Sequence, residues 1–105
     1  MILYHTTLKS RLDSIKAEGL NPDYSEGKLK VNWLCTRSKR LWSLLHVQKR
    51  HHCGLDEIAV ITVKVTRSKL TRRWRGLWTT DCTIDATAFV SITDAEVFAG
   101  SPIGN

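Results

Sequence analysis

No apolar run in this 105-residue chain approaches the roughly 20 residues needed to cross a bilayer. The longest, Ile58–Val65, is interrupted by Thr62 and Lys64. No charged segment followed by an apolar one opens the chain, and its three cysteines, Cys35, Cys53 and Cys82, are odd in number and irregular in spacing. The expectation is therefore a soluble, cytoplasmic protein without a disulfide framework. The six glycines never fall into G-x-G-x-x-G, and Gly27-Lys28-Leu29 lacks the flanking residues of a P-loop. Neither a G-x-S-x-G elbow nor an H-E-x-x-H helix is present. His51-His52-Cys53, with Cys35 and His46, is rich in soft ligands. Without a C-x-x-C pair to pre-organise two thiolates, it is read as a polar helix end and no metal is expected.

With 42% hydrophobic residues the chain can build one packed core. Residues 1–99 are read as a single domain and 100–105 as a flexible tail. Basic residues are missing from the last third. Residues 37–75 hold eleven Lys and Arg against two acidic side chains, whereas 76–105 hold four acidic residues and no basic ones. The overall charge of +6 is thus concentrated in one segment, which is either a solvated face or a surface for an anionic partner.

Met1–Tyr4 predicts a short strand ending at His5. Thr6 and Thr7 follow as candidate N-caps for a helix carrying Leu8, Leu12 and Ile15, which Gly19 and Pro22 would end. The residues from Asn21 to Lys30 read as a loop. Val31–Thr36 reads as a strand, and Ser38 as the cap of a helix from Lys39 to Arg50 with Leu41, Leu44 and Leu45 facing the core and Trp42, His46 and Lys49 on another stripe. Ile58–Val65 is the clearest strand, with Ala59, Ile61, Val63 and Val65 on one face. Lys69–Trp78 is expected to be a loop or twisted edge, followed by short strands at Leu77–Thr80, Phe89–Ile92 and Glu96–Phe98. The order predicts an α+β domain with a largely antiparallel sheet.

Two stretches carry candidate chemistry. Arg72-Arg73-Trp74-Arg75-Gly76-Leu77-Trp78 interleaves guanidinium groups, which pair with phosphates, and indoles, on which bases stack. The plain alternative is a core Trp78 beside solvated arginines. His5, at a strand end before two hydroxyl residues, has a ring that both donates and accepts near neutral pH. It reads either as a ligand contact at a helix entrance or as a satisfied edge residue.

Leu3-Tyr4-His5-Thr6-Thr7 and Glu18-Gly19-Leu20-Asn21-Pro22 resemble the opening of the ADP-ribosyltransferase-like superfamily, L-Y-H-G-T followed by I-x-x-x-G-L-x-P. Val31–Ser38, leading into a helix with Trp42, is similar to its second motif, and Ile58–Val65 with Gly76–Asp81 follows its later order. The resemblance implies two small antiparallel sheets splayed around a cleft with two helices, and NAD as the substrate. It implies that His5 bonds a ribose hydroxyl, that main-chain groups at Thr6 hold the nicotinamide amide, and that Trp42, or else Trp33, stacks on the nicotinamide. Thr7 and Ser38 extend this set, and Arg37, Lys39 or Arg40 would take the pyrophosphate.

The late-strand Glu of the His-Tyr-Glu transferases is missing from Arg75–Trp78, leaving Asp81 or Glu96 as candidates to replace it. We take Asp81 with His5 as the catalytic pair. Branches without that Glu include RNA 2′-phosphotransferases, which hold a phosphorylated RNA with basic side chains. The expected activity is thus NAD-dependent modification of a nucleic acid or another anionic macromolecule, with DNA or RNA contacted by Arg72, Arg73, Trp74 and Arg75. The alternatives are a non-catalytic module that binds nucleic acid or protein through its basic surface, and an inhibitor that fills a partner's anion site with Arg72, Arg73 and Arg75.

Overall fold

β-Branched and apolar residues recur in six segments, and in the computed structural model, which describes residues 1–100, these pair into one antiparallel sheet. The strands are β1 (Ile2–Leu8), β2 (Asn32–Cys35), β3 (Ile58–Lys64), β4 (Thr71–Trp74), β5 (Leu77–Thr80) and β6 (Phe89–Asp94), in the order β4-β5-β2-β1-β3-β6. Three helices accompany them: α1 (Leu12–Glu18), α2 (Arg40–His51) and α3 (Ala95–Ala99). The protein is a single α+β domain. None of the described helices is long and apolar enough to cross a membrane. Residues 101–105, most of the expected tail, lie outside the described part.

β3 explains why one sequence run is apolar almost throughout. Ile61 and Val63 pack with Leu3, Leu34, Trp78 and Ile84 on one face, while Ile58 and Val60 pack with Leu44, Ala95 and Phe98 on the other. The strand is covered on both sides, so alternation at its positions is between two cores and not between core and water. Ile61, Val63 and Val65, expected on one face, do share a core, and the opposite face is buried as well.

Other boundaries also shift. β1 pairs with β3 at seven positions, from Ile2↔Lys64 to Leu8↔Ile58, so Thr6 and Thr7 belong to the ladder and cap no helix. α1 begins only at Leu12, after a 3-10 turn at Lys9–Arg11. Ser38 does not cap α2. Its hydroxyl lies 2.9 Å from Thr36 Oγ1, within a 3-10 turn at Arg37–Lys39. On α2 the core side is Leu44 with Val47, whereas Leu41 and Leu45 are exposed. The expected strand at Glu96–Phe98 is α3, because Ala95 and Phe98, three apart, fill one helical stripe against Leu44 and Val60. The basic stretch expected as a loop or twisted edge forms β4, whose register against β5 slips between Arg72 and Trp74.

The centre of the sheet is its thinnest part. β1 and β2 share one ladder pair, Tyr4↔Cys35, where β4-β5-β2 meets β1-β3-β6, and Leu3, Leu34, Ile61 and Trp78 pack in one core across that junction. Beside this seam, Leu20 and Ile84 form an isolated bridge, and the buried Asn32 side chain donates to the Leu20 carbonyl at 2.8 Å and to the Cys82 carbonyl at 3.1 Å.

Gly19 makes that bridge possible, since its φ is +78° and a Cβ there would lie 2.5 Å from the Ile84 oxygen. We predict that Gly19→Ala lowers stability by about 2–4 kcal/mol. Gly27→Ala, whose Cβ would meet nothing nearer than Ser25 Oγ at 4.0 Å, should change it by less than about 0.5 kcal/mol. Urea midpoints of the two variants measure the contrast.

Candidate active site

Beyond Tyr4↔Cys35 the two middle strands part, and the edges of β1 and β2 face each other without ladder pairing. Backbone groups left this way need other partners. His5 supplies one across the gap: its Nδ1 donates to the Trp33 carbonyl oxygen at 2.8 Å. A carbonyl can only accept, so Nδ1 carries a proton, and in the neutral ring Nε2 is left as an acceptor. Burial pushes the His5 pKa below its ordinary value, the bond to Trp33 opposes this, and Arg11 adds to the lowering. The ring is therefore neutral at physiological pH.

A cleft of about 930 Å³ opens at this seam. β1 contributes His5, Thr6 and Thr7, β2 contributes Asn32 and Trp33, and α2 contributes Trp42, Ser43 and His46. Its volume suits a ligand larger than a single ring. Thr6 Oγ1 and Ser43 Oγ lie 2.6 Å apart and tie β1 to α2. Trp42 is 45% exposed and stacks on His46 with ring centres 5.2 Å apart and planes 12° from parallel. The imidazole covers one face of the indole, and the exposed remainder of the ring can receive a planar group.

Most of the remaining predicted contacts lie elsewhere. Arg37 stacks over Phe98 at 5.9 Å and lines a separate cavity of about 330 Å³ with Tyr4 and Thr62. Arg40 is buried, donates to the Arg37 carbonyl at 3.2 Å, and has a side-chain Nε without a hydrogen-bond partner among the described residues. With Ser38 and Lys39, these residues sit in the turn that starts α2, and none of the four lines the cleft. Arg37, Lys39 and Arg40, expected near a pyrophosphate, are thus grouped at the start of α2 and not among the residues lining this cleft. Asp81 is exposed just past β5, where Cys82 Sγ donates to its carboxylate at 3.7 Å, and Glu96 is exposed on α3. Neither reaches the cleft.

From the basic-aromatic stretch, Trp74 reaches the cleft and is 63% exposed. Arg72, Arg73 and Arg75 are exposed beside it, with Arg73 Nε donating to Thr79 Oγ1 at 2.9 Å. Trp78, by contrast, is in the core with the Arg67 guanidinium 5.6 Å from its ring centre. Cys35 is buried on β2, and burial pushes its thiol up to about 11 despite a bond with Ser43. It is not a thiolate nucleophile at neutral pH. Among the described residues no group of three or more His, Cys, Asp or Glu side chains gathers as a metal site.

Among the cleft residues that sequence reasoning did not assign to the site are Arg11, Glu26, Arg50 and His51. Glu26 accepts an ion pair from Arg11, and lies 3.6 Å from Arg50 Nη1 and 3.3 Å from His51 Nε2. No local pattern announces this. Basic residues in the last turn of α2 read as ordinary complements to a helix C-terminus.

The neutral state of His5 gives a prediction with a definite sign. Since the folded pKa is below the ordinary 6.5, the unfolded chain takes up the proton first as pH falls, so the contribution of His5 to stability is full above about 6.5 and declines below it. The stability difference between the protein and His5→Gln should therefore shrink between pH 7 and pH 5 in denaturant titrations, and a constant or growing difference would contradict this. No family model matches the chain, and no curated protein matches it.

Proposed function

We propose that the protein is an NAD-utilising enzyme of the ADP-ribosyltransferase-like kind, acting on a nucleic acid or another anionic macromolecule. One observation carries the reading: His5 and Trp42, the two rings the resemblance assigns to NAD, come from different elements and line one cleft at the seam of the sheet. The splayed pair of sheets that the resemblance implies is read as the halves β4-β5-β2 and β1-β3-β6, joined at Tyr4↔Cys35. In this reading His5 Nε2 accepts from a ribose hydroxyl, main-chain groups of Thr6 meet the carboxamide, and the exposed part of the Trp42 ring stacks on the nicotinamide.

The reaction breaks the bond between nicotinamide and the anomeric carbon. Nicotinamide leaves with the electron pair and becomes neutral, while the acceptor's nucleophile bonds that carbon and gives up its proton. The site's task is to hold the ribose and tolerate positive charge developing there. A neutral imidazole does so better than an imidazolium. Trp74 at the rim, with Arg72, Arg73 and Arg75 alongside, suits an unpaired nucleotide presented to the cleft.

β5 begins Leu77-Trp78 with no carboxylate, and this favours a second reading: a module that binds nucleic acid through the β4–β5 hairpin without turning over NAD. Two experiments separate the readings. Purified protein incubated with NAD should release nicotinamide, faster with DNA or RNA present. His5→Ala should reduce release by roughly 10²-fold or more while the protein stays folded, and unchanged release would refute the enzyme reading. For either reading, log affinity for single-stranded nucleic acid should fall linearly with log salt by about 0.7 per phosphate contact, and Arg72→Ala with Arg75→Ala should flatten the slope by roughly 1–2.

A further inference from the structure

Two arginines and a histidine from distant parts of the chain converge on one wall of the cleft. Arg11 ends the turn after β1, while Arg50 and His51 end α2. The group between them is no ligand but the chain itself, the carboxylate of Glu26 on the segment between α1 and β2. Partial burial opposes ionisation of Glu26, but the hydrogen bond from Arg11 and the charges of Arg11, His51 and Arg50 outweigh it and hold the carboxyl below its ordinary pKa.

Among the described residues, the other hydrogen bonds of segment 22–31 stay local. Asp23 N–H reaches Asn21 Oδ1, Tyr24 N–H the Asn21 carbonyl, Ser25 N–H the Pro22 carbonyl, and Lys30 Nζ the Ser25 carbonyl. Glu26 is thus the polar tie between this segment and the opposite wall. Its partners are part-exposed, at 45, 40 and 22% of their side-chain surface, and ion pairs of that kind contribute little to stability. Such a contact is readily exchanged. The two guanidinium groups alone carry more positive charge than one carboxylate neutralises, and guanidinium forks match phosphate oxygens two at a time.

We propose that Arg11, Arg50 and His51 form a diphosphate site and that Glu26 occupies it as an internal counter-anion, which a ligand must displace together with its segment. The proposal rests on the NAD reading only for the ligand's identity, since the charge cluster recognises a diphosphate whatever it is attached to. It makes the cleft self-competing. Binding is weakened by the chain's own carboxylate until a ligand carrying more negative charge arrives, and Lys28, which also lines the cleft, rides on the same segment.

Inorganic pyrophosphate is the probe, titrated calorimetrically into the full chain. Glu26→Gln should bind it roughly tenfold more tightly than the parent, because a like charge is removed at short range. Adding Arg50→Gln to Glu26→Gln should reverse that gain. Unchanged or weaker binding by Glu26→Gln overturns the proposal. A second readout uses the unmodified protein, so it survives misfolding of a variant: pyrophosphate should speed cleavage after Lys28 by a lysine-specific protease, and no change or protection overturns the displacement. If pyrophosphate behaves as described while nicotinamide is never released, this site stands and the transferase reading falls. If NAD is turned over and excess pyrophosphate does not inhibit, this site falls alone.

Discussion

A single hydrogen bond from an imidazole to a backbone carbonyl, His5 to Trp33, spans the seam on which the rest of the site depends. β1 is zipped to β3 along its whole length but shares a single ladder pair with β2, so backbone pairing is sparse at that line. The ring does three things at that line. It ties the halves together, it satisfies a carbonyl that the ladder leaves unpaired, and it fixes its own tautomer so that Nε2 is an acceptor. The cleft exists because ladder pairing stops there, and it stays open because both edges are anchored from behind: β1 by β3, and β2 by β5 and the Asn32 side chain.

Charge is organised around the same cleft in two ways. Exposed arginines beside Trp74 sit outside its rim, where solvent screens them and where they can meet a long polyanion. Arg11, Arg50 and His51 sit inside and are matched with Glu26. The basic excess of residues 37–75 is therefore not one surface. Arg37 and Arg40 belong to neither group, having been drawn into contacts around the start of α2.

Legibility in the sequence followed how local each signal was. β3 was readable because eight consecutive residues carry its pattern, whereas only the fold brings His5 and Trp42, singled out by short motifs, to one cleft. Thr6 and Thr7 were misread as caps, since a hydroxyl before an apolar run looks the same whether the backbone turns or continues as a ladder with β3. Leu41 and Leu45 were misplaced for a related reason. α2 has more apolar positions than one face can bury, and only the neighbours supplied by β1 and α3 decide that Leu44 is the inner one.

The sequence by itself determined the class of the domain, the strand formed by its longest apolar run, the glycine that ends the first helix at 19, and the side chains from which any anion or aromatic contact would be drawn. These are properties of short windows, where period, propensity and backbone freedom act over a few residues. Only the tertiary structure decided which of those side chains meet. Trp74 rather than Trp78 faces the cleft, Asp81 stays outside it, and Glu26 finds Arg11, Arg50 and His51. The physical reason is that these partners are separated by long stretches of chain, so their distances are set by where the strands close on one another and by nothing within reach of either residue along the backbone.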